Sequence, residues 1–211
     1  MNNVDPKRYQ DAQDKKNRQS VNVAALVKVT AFNAATMTVD VQPLSQHLEG
    51  GEYQSQPPIL GVPCSFTKSG GFIIRPWIAP GDVGLVVYVD HDIDKAVAGG
   101  QESKPNTERN HSTSDAVYIG GIVTGNAPVG GLPDGAAVIG TEDGGTYIAI
   151  TPGTITLVGD VEIQGNVHAT GDATIDGDET VGGDTTASGI SLVSHVHGGV
   201  EGGSGTTSQP Q

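Results

Sequence analysis

His195 and His197 are separated by one residue, the spacing that sets two side chains on the same face of an extended strand. Their backbones would then stand about 7 Å apart, close enough for both rings to reach one ion. Imidazole is a ligand for zinc, iron, nickel and copper. Two nitrogens fill the coordination shell of none of them, so a metal here needs more ligands from elsewhere. An H-x-H pair by itself has little specificity, because most such pairs are solvated and bind nothing. Its weight here comes from placement: it closes a repeat and precedes the glycine-rich tail that begins at Gly198-Gly199.

The remaining residues with chemical potential read as structural. His47, His91 and His111 fall in loops or at strand ends, and His168 faces away from its neighbours Val167 and Ala169. The lone Cys64 cannot form an intrachain disulfide and reads as a small buried apolar residue. Glu142 and Asp143 are adjacent acids with no catalytic setting, and no nucleophile elbow, phosphate loop or zinc-protease helix occurs. No catalytic residue and no organic cofactor is predicted, and the chain is not expected to be an enzyme.

The element that must position His195 and His197 is a repeat. Gly159, Gly165, Gly171, Gly177, Gly183 and Gly189 are spaced by six, and the next residue is Asp160, Asn166, Asp172, Asp178, Asp184 and then Ile190. Apolar residues follow two and four places after the glycine, as Val161 with Ile163, Val167 with Ala169 and Ala173 with Ile175; Val181 and Ala187 keep the second place only. Each hexad is thus a Gly-Asx turn and a short strand with one apolar face. Such repeats stack into β-helices. Aligned carboxylates can bind hard cations, but solvated turns explain these better. Each hexad buries about two small side chains, too little against an ordering cost of ~1–2 kcal/mol per residue. Three identical chains that intertwine resolve the shortage, each supplying one wall. A threefold axis then brings six imidazoles together. Six nitrogens suit an octahedral divalent ion; iron and nickel fit better than tetrahedral zinc, with iron preferred.

Charge divides the chain. All 11 lysines and arginines precede residue 110 while half of the 24 acids follow it, so the first 110 residues carry -1 and the remainder -12 of a net -13. This balance argues against nucleic acid and against attraction to an anionic surface. No apolar run approaches the ~18 residues of a spanning helix. The polar first 20 residues lack a secretory core and predict assembly in a cytoplasm. They read as a loose arm or a marginal helix. Residues 21–120 read as short strands: Val23 to Phe32, the alternating Thr38-Val39-Asp40-Val41-Gln42, Pro57 to Pro63, Phe72-Ile73-Ile74, Leu85 to Val89 and Asp115 to Ile119, with a turn at Pro80-Gly81-Asp82. Five or so strands up to residue 95, with one more at Asp115 to Ile119, fit a small Greek-key barrel, the OB-fold first. The predicted fold is all-β: an N-terminal OB-fold barrel followed by an intertwined trimeric β-helix. Its parts are an arm at 1–20, the barrel at 21–120, a connecting β region at 121–152, the shaft at 153–193, and a metal-binding tip and tail at 194–211.

The run Pro80-Gly81-Asp82-Val83-Gly84-Leu85-Val86-Val87-Tyr88-Val89-Asp90, then Asp92-Ile93-Asp94, and the segment from Arg109 to Val117 resemble the N-terminal domain of contractile-tail phage baseplate central spike proteins. The ending Ser194-His195-Val196-His197-Gly198-Gly199, with Gly203-Ser204-Gly205-Thr206-Thr207-Ser208-Gln209-Pro210, resembles the tip of the same proteins. The resemblance implies a homotrimer with one iron ion held by His195 and His197 of each chain. It implies an OB-fold domain seated on the baseplate hub or tail tube protein, and a rod that pierces the host outer membrane. It also implies a place at the tip of the virion's tail baseplate. Related contractile machines, a phage-tail-like bacteriocin or a secretion-system tip, share these mechanics. A hexapeptide-repeat acyltransferase would need longer coils with a histidine between them. A trimeric adhesin would be expected to carry aromatic residues beyond Tyr147, where the chain has none.

Overall fold

The computed structural model describes residues 7, 8, 10, 11, 13, 14, 21–196, 202 and 203. Of the arm, Lys7, Arg8, Gln10, Asp11, Gln13 and Asp14 are helical and exposed. The chain is nearly all β, and it divides into two units after Gly159. Among the described residues no helix is long and apolar enough to cross a membrane.

In the first unit β1 (Ala24–Asn33) and β2 (Thr38–Pro43) form a hairpin, followed by the small hairpin of β3 (His47–Glu49) and β4 (Glu52–Gln54). Next come β5 (Ile59–Pro63), the hairpin of β6 (Thr67–Ser69) and β7 (Phe72–Ile74), β8 (Val83–Tyr88) and β9 (Ala116–Gly121). The five longer strands make one antiparallel sheet in the order β5-β2-β1-β8-β9. It curls until its edges meet: Cys64 and Tyr118 form a parallel bridge, and the Ser65 N–H donates to the Tyr118 carbonyl at 2.7 Å. Third strand parallel to fifth, with every other pairing antiparallel, is the strand order of an OB-fold barrel.

The core follows from the alternation. β2 and β8 bury every second residue, and the interior is lined by Val27, Val29, Val39, Val41, Ile59, Val62, Ile78, Val86, Tyr88, Ala116 and Tyr118. Five strands enclose little volume, so valine serves where larger side chains would overfill. Gly84 makes room for Tyr118: a Cβ there would collide with the Tyr118 ring and the Gly120 carbonyl. Gly84→Ala is therefore expected to cost about 1–3 kcal/mol through overpacking, read as a lower urea midpoint. An unchanged midpoint would show that the Tyr118 ring yields.

The 27 residues between β8 and β9 hold a short helix, Asp94–Gly99, closed by left-handed Gly100 (φ 63°), and a 3-10 turn at Thr113–Asp115. An ion-pair cluster latches them to the barrel. Arg109 donates through Nε and Nη2 to the two Asp115 oxygens at 2.6 and 2.9 Å, and through Nη2 to Asp94 at 3.0 Å. Asp115 also accepts from the Ile93 N–H, and Asp92 accepts from Thr107 and from the Asp94 N–H. The side chains of Asp92 and Asp115 are fully buried.

After β9, a three-stranded antiparallel meander forms from β10 (Ala137–Gly140), β11 (Tyr147–Thr151) and β12 (Thr154–Val158). β11 and β12 turn at Pro152-Gly153, with Gly153 at φ 88°.

The second unit carries the repeat. Bends fall at Gln164-Gly165, Thr170-Gly171, Asp176-Gly177 and Gly182-Gly183, and a turn at Ser188-Gly189, one every six residues. Between Asp160 and Thr185 there is no strand, and among the described residues 160–184 make no backbone-to-backbone hydrogen bond. Val161, Ile163, Val167, Ile175 and Val181 are all exposed. Regular pairing begins only at β13 (Thr186–Ala187) and β14 (Ile190–Ser191).

Candidate metal-binding tip

β13 and β14 form a two-residue hairpin whose loop, Ser188 (φ 51°) and Gly189 (φ 83°), has the positive dihedrals of a type I′ turn. The chain leaves strand geometry after Ser191 and turns through Leu192–Ser194. Ser191 organises that turn: its Oγ accepts from the Ser194 N–H at 2.9 Å and pairs with the Ser194 hydroxyl at 2.8 Å. Asp184, the acid of the last Gly-Asx step, accepts from the Val193 N–H at 3.1 Å. Hydrogen bonds from Ser191 and from Val193 hold its carboxyl below the usual range. This repeat carboxylate caps a local turn, in keeping with the turn reading of the Asx residues.

His195 follows the turn and is exposed. Its backbone N–H donates to the Ser191 carbonyl at 3.2 Å, and ring Nδ1 lies 2.8 Å from the same oxygen. A carbonyl only accepts, so Nδ1 is the donor in this contact. Metal-ligating histidines use this arrangement, one ring N–H anchored to a carbonyl and the other nitrogen coordinating. The Nδ1 anchor is compatible with a ligand role for His195. His197 lies outside the described residues.

The other histidines are placed for other tasks. His47 pairs with Glu49 at 3.1 Å. His91 and His111 flank Asp90 at 3.4 and 3.0 Å, and His91 Nδ1 lies 2.7 Å from Asn110 Oδ1. His168 is exposed. Cys64 is half-buried beside the core, and burial pushes its thiol up to about 11, away from the reactive thiolate. The carboxylates of Asp92, Asp94 and Asp115 lie near one another, and Arg109 pairs with all three, so the site already holds a cation of its own. Sequence reading missed this cluster; the signal available was the pair of acids two apart, Asp92 and Asp94, with Arg109 downstream.

Two family models match the chain. The Phage protein Gp138 N-terminal domain matches residues 26–121, the span of the barrel, and the GpV Apex motif matches residues 189–211, the span that starts in the last hairpin and holds His195 and His197. No curated protein matches it. Both families are features of phage baseplate central spikes, so the chain is a contractile-tail phage spike protein, a component of the virion tail that assembles with other tail parts.

Proposed function

We propose that three copies of this chain intertwine through their repeats into a stiff, thin shaft that pierces the host outer membrane when the tail contracts. The part is mechanical and turns over no substrate. The barrel docks on the baseplate hub or tail tube protein. His195 and His197 of the three copies bind one iron ion near the point, and the ion ties together three chain ends that would otherwise fray. Assembly takes place in the host cytoplasm.

The observation that carries this reading is the state of residues 160–184 in the single chain. They bend every six residues and expose their apolar side chains, and among the described residues they pair no backbone groups with one another. Backbone donors and acceptors and a regular apolar face call for neighbours, and identical chains in the same register supply both. Closure around an axis also leaves few free strand edges.

Light scattering with elemental analysis of the purified protein tests the reading. The expected result is a particle of three 21.5 kDa chains carrying iron. A metal-free monomer would overturn both the shaft and the tip.

A further inference from the structure

The β10–β12 meander has one apolar face that its own chain leaves open. Ile139 stands opposite Ile148 and Ile148 opposite Leu157; Ala137 stands opposite Ile150 and Ile150 opposite Ile155. Residues directly opposite share a face, as do positions i and i+2, so all six side chains project from one side. The five large ones are each 43–68% exposed. On the other side, Val138, Tyr147 and Val158 are half-buried and Ala149 is buried. With roughly 100 Å² open on each large residue, the patch is on the order of 500 Å², at the upper end for a monomer's largest apolar patch. It contains no ionisable group.

The repeat that follows has a weakness that this face can remedy. Its hexads are near-equivalent, with the same glycine and an apolar residue four places after it. Two chains displaced by six residues would still set this series of apolar side chains level with itself. A periodic pattern leaves its register weakly specified. An aperiodic contact has to set it. β12 ends at Val158, immediately before the first repeat glycine, Gly159, and the Ile139, Ile148, Ile150, Ile155 and Leu157 set occurs once.

We propose that this face packs against the same face of two further copies and fixes the register in which the three repeats intertwine. The inference rests on the trimeric reading above and adds to it where register is decided. Three such faces would remove about 1,500 Å² from water, the size of a standard stable interface. The contact is continuous along the chain with the repeat, and an uncharged surface of isoleucine and leucine carries nothing that repels a second copy of itself.

The test uses the full chain with Ile148→Glu and Ile150→Glu together, and Thr156→Glu as the control. Thr156 is exposed on the opposite side of the same sheet. The double variant is expected to lose at least about fivefold of its trimer at micromolar concentration, because six carboxylates would meet where apolar groups should pack. Chains that still associate are expected to bind less than about a third of the wild-type iron, since slipped tips do not assemble six imidazoles. Thr156→Glu is expected to match wild type in mass and iron. A double variant that forms a uniform trimer with wild-type iron overturns the proposal, as does an equal loss in the control. A monomeric wild type would instead overturn the trimeric reading on which the proposal stands.

Discussion

Asp115→Ala is expected to destabilise the barrel by about 3 kcal/mol, the range for breaking a buried ion pair from one side. The Asp115 side chain is fully buried, takes the Arg109 guanidinium at both oxygens and accepts the Ile93 N–H at 3.1 Å. Its loss strands that N–H and withdraws from Arg109 its two-point partner, while Asp94, the remaining direct acceptor of an Arg109 hydrogen bond, is more than half exposed. The latch holds the long connection that delivers β9 to β8, so the damage reaches the sheet's closing edge. Asp115→Asn keeps the shape and one acceptor and is expected to lose roughly half as much. The Arg109 hydrogen bonds hold the Asp115 carboxyl below its usual range against the opposing effect of burial. A carboxyl depressed by folding gives stability that is complete above its unfolded value, ~3.9, and lost as pH falls through the folded value. The gap between wild type and Asp115→Asn should therefore narrow below about pH 4. Fluorescence of Trp77, the chain's one tryptophan, which packs edge-on against Phe32, reports urea unfolding of this unit. Equal midpoints at pH 7 would show that the latch contributes nothing.

The parts legible in the sequence were those whose pattern is local. The alternation at Thr38–Gln42 and the turn at Pro80-Gly81-Asp82 carry their own period and punctuation, and they appear as β2 and the entry to β8. The strand Phe72-Ile73-Ile74 was visible as an apolar run, while its hairpin partner Thr67–Ser69, without an apolar residue, was not. The hairpin at Gly50-Gly51 was missed as well, since His47 to Gln54 offers only Leu48 and Tyr53 as apolar residues. β10 is four residues among glycines and prolines and exists through its pairing with β11, a contact that propensity does not encode. The six-residue helix at Asp94 is too short to show a period. The Arg109 cluster joins residues 23 apart in sequence, from Asp92 to Asp115, and the Asp92–Asp94 spacing by itself does not say that Arg109 and Asp115 join them. In the repeat, the glycine period gave the bends at their places, while the expected strands between them are missing from the single chain. A hexad has no neighbour within its own chain with which to pair.

Replacing His195 and His197 together by alanine is expected to lower the iron content from about one per three chains to below ~0.1, with the trimer mass unchanged. The two outcomes separate because they rest on different residues. Association is assigned to the meander face and the repeat, which the substitutions leave intact. The ion is assigned to imidazoles alone, and alanine offers it no donor. His195→Ala by itself leaves three imidazoles per trimer, an incomplete shell for an octahedral ion, so iron is expected to be lost on dialysis against a mild chelator that wild type withstands. The order of loss on heating adds a second readout. If the ion ties the three ends, proteolysis near residue 195 should begin at a lower temperature in the double variant, while Trp77 in the barrel melts as before. Iron retained by the double variant would place the metal elsewhere in the chain and remove His195 and His197 from the tip. A fall to monomer would instead assign to the ion the work attributed here to the shaft.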